Sequence, residues 1–243
     1  MPVQEALIEV SLPQRHPLRP LETFQGSLAQ RVYASLRESI LTLNFRPGDI
    51  LRKPDICDSL GVSRSPVSEA VARLAAEHLV RVVPQAGTYV ARFSLDEIRE
   101  GAFLREALEL AAVERVAATI TEDQLIPLRR NLRLQTALIE DRDFAGFYQT
   151  DAAMHELILS FTGFRRVASL ADTSWVHVNR ARQLVLPAPG RLAATLVEHQ
   201  AILAAIEARD PQAAREATRH HLAKLIGFLE PLALSRPDLF DPE

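Results

Sequence analysis

Asp151 and His155 stand four residues apart in the stretch DAAMHELIL, a spacing that sets a carboxylate and an imidazole one turn apart on one helix face. Phe147, Met154 and Ile158 share that face, so both polar groups point into an apolar interior and need partners there. His199 lies on the stripe of Leu192, Leu196, Ile202 and Ile206, and His221 on that of Ala214, Ala217, Thr218, Leu225 and Phe228. The neighbouring His220 is turned by about 100° onto a face with Ala213, Glu216 and Lys224 and reads as exposed. Three imidazoles and one carboxylate thus aim at one interior. A divalent cation would satisfy all four, because neutral imidazole and ionised carboxylate are ligands of first-row metals. The other reading is a set of hydrogen-bonded core residues in which Asp151 simply pairs with His155, and spacing leaves both open.

The elements that must position these residues are helices. Ser94 with Glu97 forms a capping-box pattern that starts a helix at about Leu95; Thr121 with Gln124 marks a second start and Asp143 a third. A fourth helix is expected over Phe164 to Leu184, a fifth over Arg191 to Ala208, and a sixth from Asp210-Pro211 to about Leu229. Upstream, residues 55 to 77 read as two short helices meeting at Gly61, with Ile56 and Leu60 inward on the first. Ser65 is expected to cap the second, with Pro66 as its first residue. Val67, Val71 and Leu74 face inward there, leaving Ser65, Ser68, Glu69, Ala72 and Arg73 to solvent, a small polar face suited to a major groove. Ser27 caps a supporting helix carrying Leu28, Val32, Leu36 and Ile40 and ending near Asn44. Leu79 to Val83 and Thr88 to Arg92 make a hairpin around Pro84-Gln85-Ala86-Gly87, where a wing belongs.

The expected fold is therefore mainly α: an N-terminal winged helix-turn-helix followed by an all-α six-helix bundle. Residues 1–26 read as a poorly ordered arm, 27–93 as the winged helix, 94–232 as the bundle, and 233–243 as a tail that trails off. Composition agrees with a globular chain: 47% of 243 residues are hydrophobic and 24% charged, and no apolar run approaches membrane-spanning length. The start has no apolar core behind a basic head, so export is not expected and the cytoplasm is. A single cysteine, Cys57, permits no internal disulfide and reads as a small packed thiol. Residues 27–92 hold nine Lys or Arg against six Asp or Glu, while 94–243 hold seventeen against twenty-two, so a basic module precedes an acidic one.

Pro47-Gly48-Asp49-Ile50-Leu51, Leu60-Gly61-Val62-Ser63-Arg64-Ser65-Pro66-Val67 and Pro84-Gln85-Ala86-Gly87-Thr88-Tyr89-Val90 resemble the GntR family of bacterial transcription regulators over about the first third of the chain. The resemblance implies operator contacts by Arg64 and by Gly87 at the wing tip, beside Ser65, Ser68, Arg73 and Gln85 on the same presented surfaces. This chain departs from the family at Ser68 and Pro54, where arginines are usual, and at His78, where glycine is usual. From residue 95 to about 230, the Asp-x-x-x-His pair, the His after Glu198, the His before Leu222 and Arg105-x-x-Leu-Glu resemble the FCD ligand-binding domain of the FadR branch, with six helices in the VanR manner. That resemblance implies a metal, zinc foremost with nickel or manganese as alternatives, on Asp151, His155, His199 and His221. It also implies a small carboxylate effector anchored by Arg105. Asn179 and Arg182, with His177 and Arg180, are further candidates to line that pocket.

The function expected is a homodimeric, metabolite-responsive regulator that reads a near-palindromic operator, not an enzyme. A metal-dependent hydrolase or oxygenase is the alternative from the donor set, but no further carboxylate stands at a convincing spacing to act as base. A direct metal-ion sensor is the third reading.

Overall fold

The computed structural model describes residues 12, 16–167, 170 and 175–242. They fall into two compact units, Leu95–Ser235 and a second made of the residues up to Ser94 together with those from Arg236 onward.

In the second unit, α1 (Leu28–Leu41) begins on a capping box: Gln30 N–H donates to the Ser27 hydroxyl while the Gln30 side chain accepts from Ser27 N–H. Two orphan donors of the first turn are satisfied at once. Helix α2 (Lys53–Leu60) ends at Gly61, whose φ of 63° is the left-handed turn that leads into α3 (Arg64–Ala76). Helix α3 starts two residues earlier than expected, with Ser63 as its N-cap and Pro66 inside the first turn. Proline sits there without loss because the first N–H groups of a helix have no intrahelical acceptor anyway. Val67, Ala70, Val71 and Leu74 are buried against α1. After His78 at φ 56°, strand β1 (Val80–Val83) pairs antiparallel with β2 (Gly87–Val90), Val83 opposite Gly87 and Val80 opposite Val90. Asp49 and Leu51 hydrogen-bond to β2 from its other edge.

Two expectations for the ends of the chain are corrected in part. Within the arm of residues 1–26, the described residues pack on α1: Leu21 is buried, the Ser35 hydroxyl donates to the Arg19 carbonyl, and Arg19 pairs with Glu38. Residues 1–11 and 13–15 lie outside the described residues. The C-terminal segment does not trail off. Leu239 and Phe240 are buried, and Phe240 forms a parallel bridge with Phe93. The cause is apolar: two large side chains in a short polar tail gain by leaving water, which local composition does not reveal.

Among the described residues the bundle includes α4 (Leu95–Thr119), α5 (Glu122–Glu140), α6 (Phe144–Phe161), α7 (Val176–Val185), α8 (Arg191–Glu207) and α9 (Pro211–Ser235). The capping box at Thr121 and the Asp143 cap form as expected. Of the single helix expected over Phe164 to Leu184, residues 165–167 and 170 are helical, Trp175 is a turn and a helix runs from Val176 to Val185; residues 168–169 and 171–174 lie outside the described residues. Helix α9 continues past Leu229 to Ser235 with Pro231 inside it. Helix α4 packs on α6, α7, α8 and α9, and α5 on α6 and α8, around a core that includes Val113, Leu128, Met154, Ile158, Val178 and Ile206. Among the described residues no helix is long and apolar enough to cross a membrane.

Candidate functional site

Helix α6 supplies Asp151 and His155, α8 supplies His199 and α9 supplies His221; all four are buried. One potential ligand atom from each lies within 4.8 Å of the others. The imidazoles crowd one another, with ring centroids 4.6 Å apart for His199 and His221 and 5.4 Å for His155 and His199. Asp151 Oδ1 is 3.3 Å from His199 Nε2, and Oδ2 touches the Arg182 guanidinium. Nevertheless both Asp151 oxygens and the Nε2 atoms of His155 and His199 are buried without a properly formed hydrogen bond. The simple alternative, a pairing of Asp151 with His155, is not what forms: His155 turns its Nδ1 to Glu109 instead.

Each imidazole is held from behind through Nδ1. His155 Nδ1 is 2.6 Å from Glu109 Oε2, and the other Glu109 oxygen accepts from Arg105 Nε at 2.6 Å. His221 Nδ1 is 2.8 Å from Glu198 Oε2, and Arg191 clamps the same carboxylate with two N–H groups at 2.7 and 2.8 Å. His199 Nδ1 is 2.8 Å from Gln135 Oε1; Gln135 donates to Asn131, and Asn131 to the carbonyl of Thr150, the residue before Asp151. All three partners of Nδ1 are acceptors, so Nδ1 carries the proton and the Nε2 lone pairs are free toward the centre.

The electrostatics act in the same direction. Burial lowers the pKa of all three histidines, that of His221 to about 3 and that of His199 well below its ordinary value, where the other two imidazoles add to the effect. Burial would raise the Glu109 carboxyl, but Arg105 and His155 outweigh it and hold it well below the usual range. Glu198 is likewise held down at about 2 against burial, by His221 and Arg191. Neutral imidazoles with inward lone pairs and a carboxylate without a partner of normal geometry form a donor set that fits a divalent metal.

A pocket of about 370 Å³, counted with its open mouth, adjoins these residues and is lined by Arg105, Arg182, Arg191 and Thr195 beside apolar groups such as Leu186 and Leu222. Of the three arginines, Arg105 and Arg191 are engaged with Glu109 and Glu198. Arg182 touches the carboxylate of Asp151 and lies over the Tyr148 ring, and burial, reinforced by Arg105, lowers its pKa to about 9. Asn179 supports Arg182 with its side-chain oxygen at 3.4 Å and does not itself line the pocket. His177 faces Glu97, and Arg180 is fully buried away from the pocket. Sequence reading missed the supporting roles of Glu109, Gln135, Asn131, Glu198 and Arg191. The signal available was a carboxylate and a guanidinium, Arg105 and Glu109, on the apolar stripe of Ile98, Ala112 and Val116.

On the winged helix, Arg64, Ser65 and Ser68 are exposed on α3, and Gln85, at φ 62°, and Gly87, at φ 137°, form the turn between the strands. Arg73 is also exposed, but its guanidinium lies 3.7 Å from the centre of the Tyr33 ring. Lys53 Nζ, from the first turn of α2, donates to the Ser68 hydroxyl at 3.3 Å. It reaches the position where the resemblance expects an arginine.

Comparison with known proteins agrees with this geometry. The gntR family of bacterial regulatory proteins matches residues 28–90 and the FCD domain matches residues 100–224. An HTH-type transcriptional regulator in an unstable DNA locus of Streptomyces ambofaciens is 33% identical over 209 residues, which cover 86% of this chain and 88% of that one. The HTH-type transcriptional repressor RspR of Escherichia coli K12 is 29% identical over 230 residues, covering 95% and 98%. Among solved structures, a GntR transcriptional regulator from Rhodococcus sp. RHA1 has a TM-score of 0.74 at 26% identity, covering 86% of this chain and 99% of that one. The Escherichia coli McbR/YncC structure shares the fold, with a TM-score of 0.73 at 22% identity over 85% of this chain and 98% of that one. A winged helix of one family joined to a bundle of the other identifies the chain as a member of the GntR family, a DNA-binding transcription regulator that carries an FCD domain.

Proposed function

We propose that this regulator senses a small organic acid through a divalent metal held by Asp151, His155, His199 and His221, zinc first and nickel or manganese next. The observation that carries the reading is the convergence of four buried donor atoms within 4.8 Å, with each imidazole held through Nδ1. The ion would supply a Lewis-acidic centre with positions open to carboxylate oxygens. Arg182, supported by Asn179, is assigned to the acid; Arg105 assists from the pocket wall while its Nε keeps Glu109 in place.

The regulator works as a homodimer on a near-palindromic operator. Phe103, Leu104, Ala107 and Ala111 form an exposed apolar stripe on α4, which supports association of two bundles. Arg64, Ser65 and Ser68 enter the major groove, Gln85 and Gly87 approach at the wing, and Arg73, stacked on Tyr33, is assigned to a flanking phosphate. Acid binding shifts the population between arrangements with different operator affinity, because only differential affinity for the two states can move such an equilibrium. An enzymatic reading is not favoured, since among the described residues the two carboxylates behind the site, Glu109 and Glu198, are each occupied by an imidazole and a guanidinium and are not available as a base.

The test is metal analysis of the zinc-reconstituted protein followed by a thermal-shift screen of small carboxylates with and without EDTA. An acid should raise the melting temperature only of the metal-loaded protein. Absence of stoichiometric metal would remove the reading. DNA affinity that follows the metal alone, with no acid able to alter it, would make the protein a direct metal-ion sensor.

A further inference from the structure

At Phe93 the winged helix forms a parallel β-bridge with a segment of the same chain, Leu239–Asp241. Phe93 N–H donates to the Leu239 carbonyl at 2.9 Å, and Asp241 N–H donates to the Phe93 carbonyl at 2.8 Å, so both backbone polar groups of Phe93 are taken by the tail. The Phe93 and Phe240 rings pack with centroids 5.6 Å apart, and Phe93, Leu239 and Phe240 are each buried. The approach to this contact is short and stiff. Leu239 N–H closes a turn onto the Arg236 carbonyl, Pro237 fixes one backbone angle, and Arg236 grips Asp238 with two N–H groups.

Connectivity gives the contact its meaning. The residue before Arg236 is Ser235, the last of α9, and α9 is the helix that carries His221. On the other side, Phe93 lies three residues beyond Val90, the end of β2, and β2 begins at Gly87 in the wing turn. We infer that Leu239–Asp241 is a latch, by which the chain leaving α9 holds the backbone leading out of the wing, a second covalent route besides the Ser94–Leu95 junction. A change at the end of α9 is then passed along the chain through the Arg236–Leu239 turn to Phe93 and to β2. The regulatory half of the inference rests on the metal reading above; the docking half does not.

The experiment uses three full-chain proteins: wild type, Phe240→Ala, and a chain ending at Ser235. Hydrogen–deuterium exchange is followed with Zn²⁺ or with EDTA. In EDTA, both variants should exchange the 91–94 segment at least about tenfold faster than wild type, while residues 196–222 stay as they were. With Zn²⁺, residues 196–222 should gain protection in all three proteins, and the 91–94 segment should respond in wild type alone. The latch is overturned if Phe93 exchange is the same in all three proteins. It is also overturned if zinc protects residues 196–222 in wild type without any change at 91–94, or if the change at 91–94 survives in both variants. If zinc leaves residues 196–222 unprotected, the metal reading fails instead, and the EDTA comparison alone decides the latch.

Discussion

The centre of the bundle and the reading face of the winged helix are both polar, yet they are built in opposite ways. At the centre of the bundle His155, His199 and His221 each have a partner on the outer nitrogen, and those partners have partners: Arg105 behind Glu109, Arg191 behind Glu198, Asn131 behind Gln135. On α3 the side chains proposed above to meet DNA stand in solvent, and Lys53 to Ser68 is a single exposed hydrogen bond. A buried polar group without a partner costs about 1–3 kcal/mol, so the outer nitrogens are paired within the protein, while the inward Nε2 atoms of His155 and His199 and the Asp151 oxygens are left for a ligand. The exposed face has water as its partner until DNA displaces it. The lesson is that damage should spread through the buried site and stay local on the exposed one.

The largest effect should come from removing a ligand. His199→Ala should lose metal and, in metal-containing buffer, melt on the order of 10 °C below wild type, because a ligand at a thousand times its Kd contributes about 4 kcal/mol. Metal analysis and paired melts with and without EDTA check this, and His220→Ala, at an exposed position, should change neither. Next is Glu109→Gln, which keeps the shape but loses the charge behind His155. Zinc affinity measured by competition with a chelator should fall about 10- to 100-fold. An unchanged affinity would mean that the buried shell is inert, and the contrast drawn above would collapse.

Arg64→Ala should weaken operator binding by about 1–3 kcal/mol with no change in melting temperature, read by titration of an operator selected with the wild-type protein. Loss of stability there would show that the face is part of the fold after all. The smallest effect is expected from Lys53→Ala, a modest and sequence-independent loss that lowers the salt dependence of binding by about one counterion. A change in base preference would instead make Lys53 a reader of sequence.

What was legible beforehand follows the same division. The residues of the buried cluster could be picked out because Asp151 and His155 obey helical spacing and His199 and His221 interrupt apolar stripes, all of which are local patterns. The winged helix was legible through Ser27, Gly61 and the Pro84–Gly87 turn, whose conformational demands are also local. The start of α3 was misplaced because two serines flank Arg64 and the one that caps the helix, Ser63, does so without a side-chain hydrogen bond. Pairings that cross the bundle, such as Glu109 with His155 or Gln135 with His199, leave no trace in spacing along the chain. The same holds for the docking of Phe240 on Phe93, which depends on two residues distant in sequence.

The three histidines are not equivalent, because two lean on carboxylates and His199 leans on an amide. A carboxylate behind an imidazole pushes electron density toward the far nitrogen, and a neutral amide pushes less. His199 is therefore the poorest donor of the set, and any ion held here sits in a lopsided ligand field. Cobalt placed in the site would report that asymmetry in its visible absorption, and Gln135→Glu should move the spectrum toward that of a more even field.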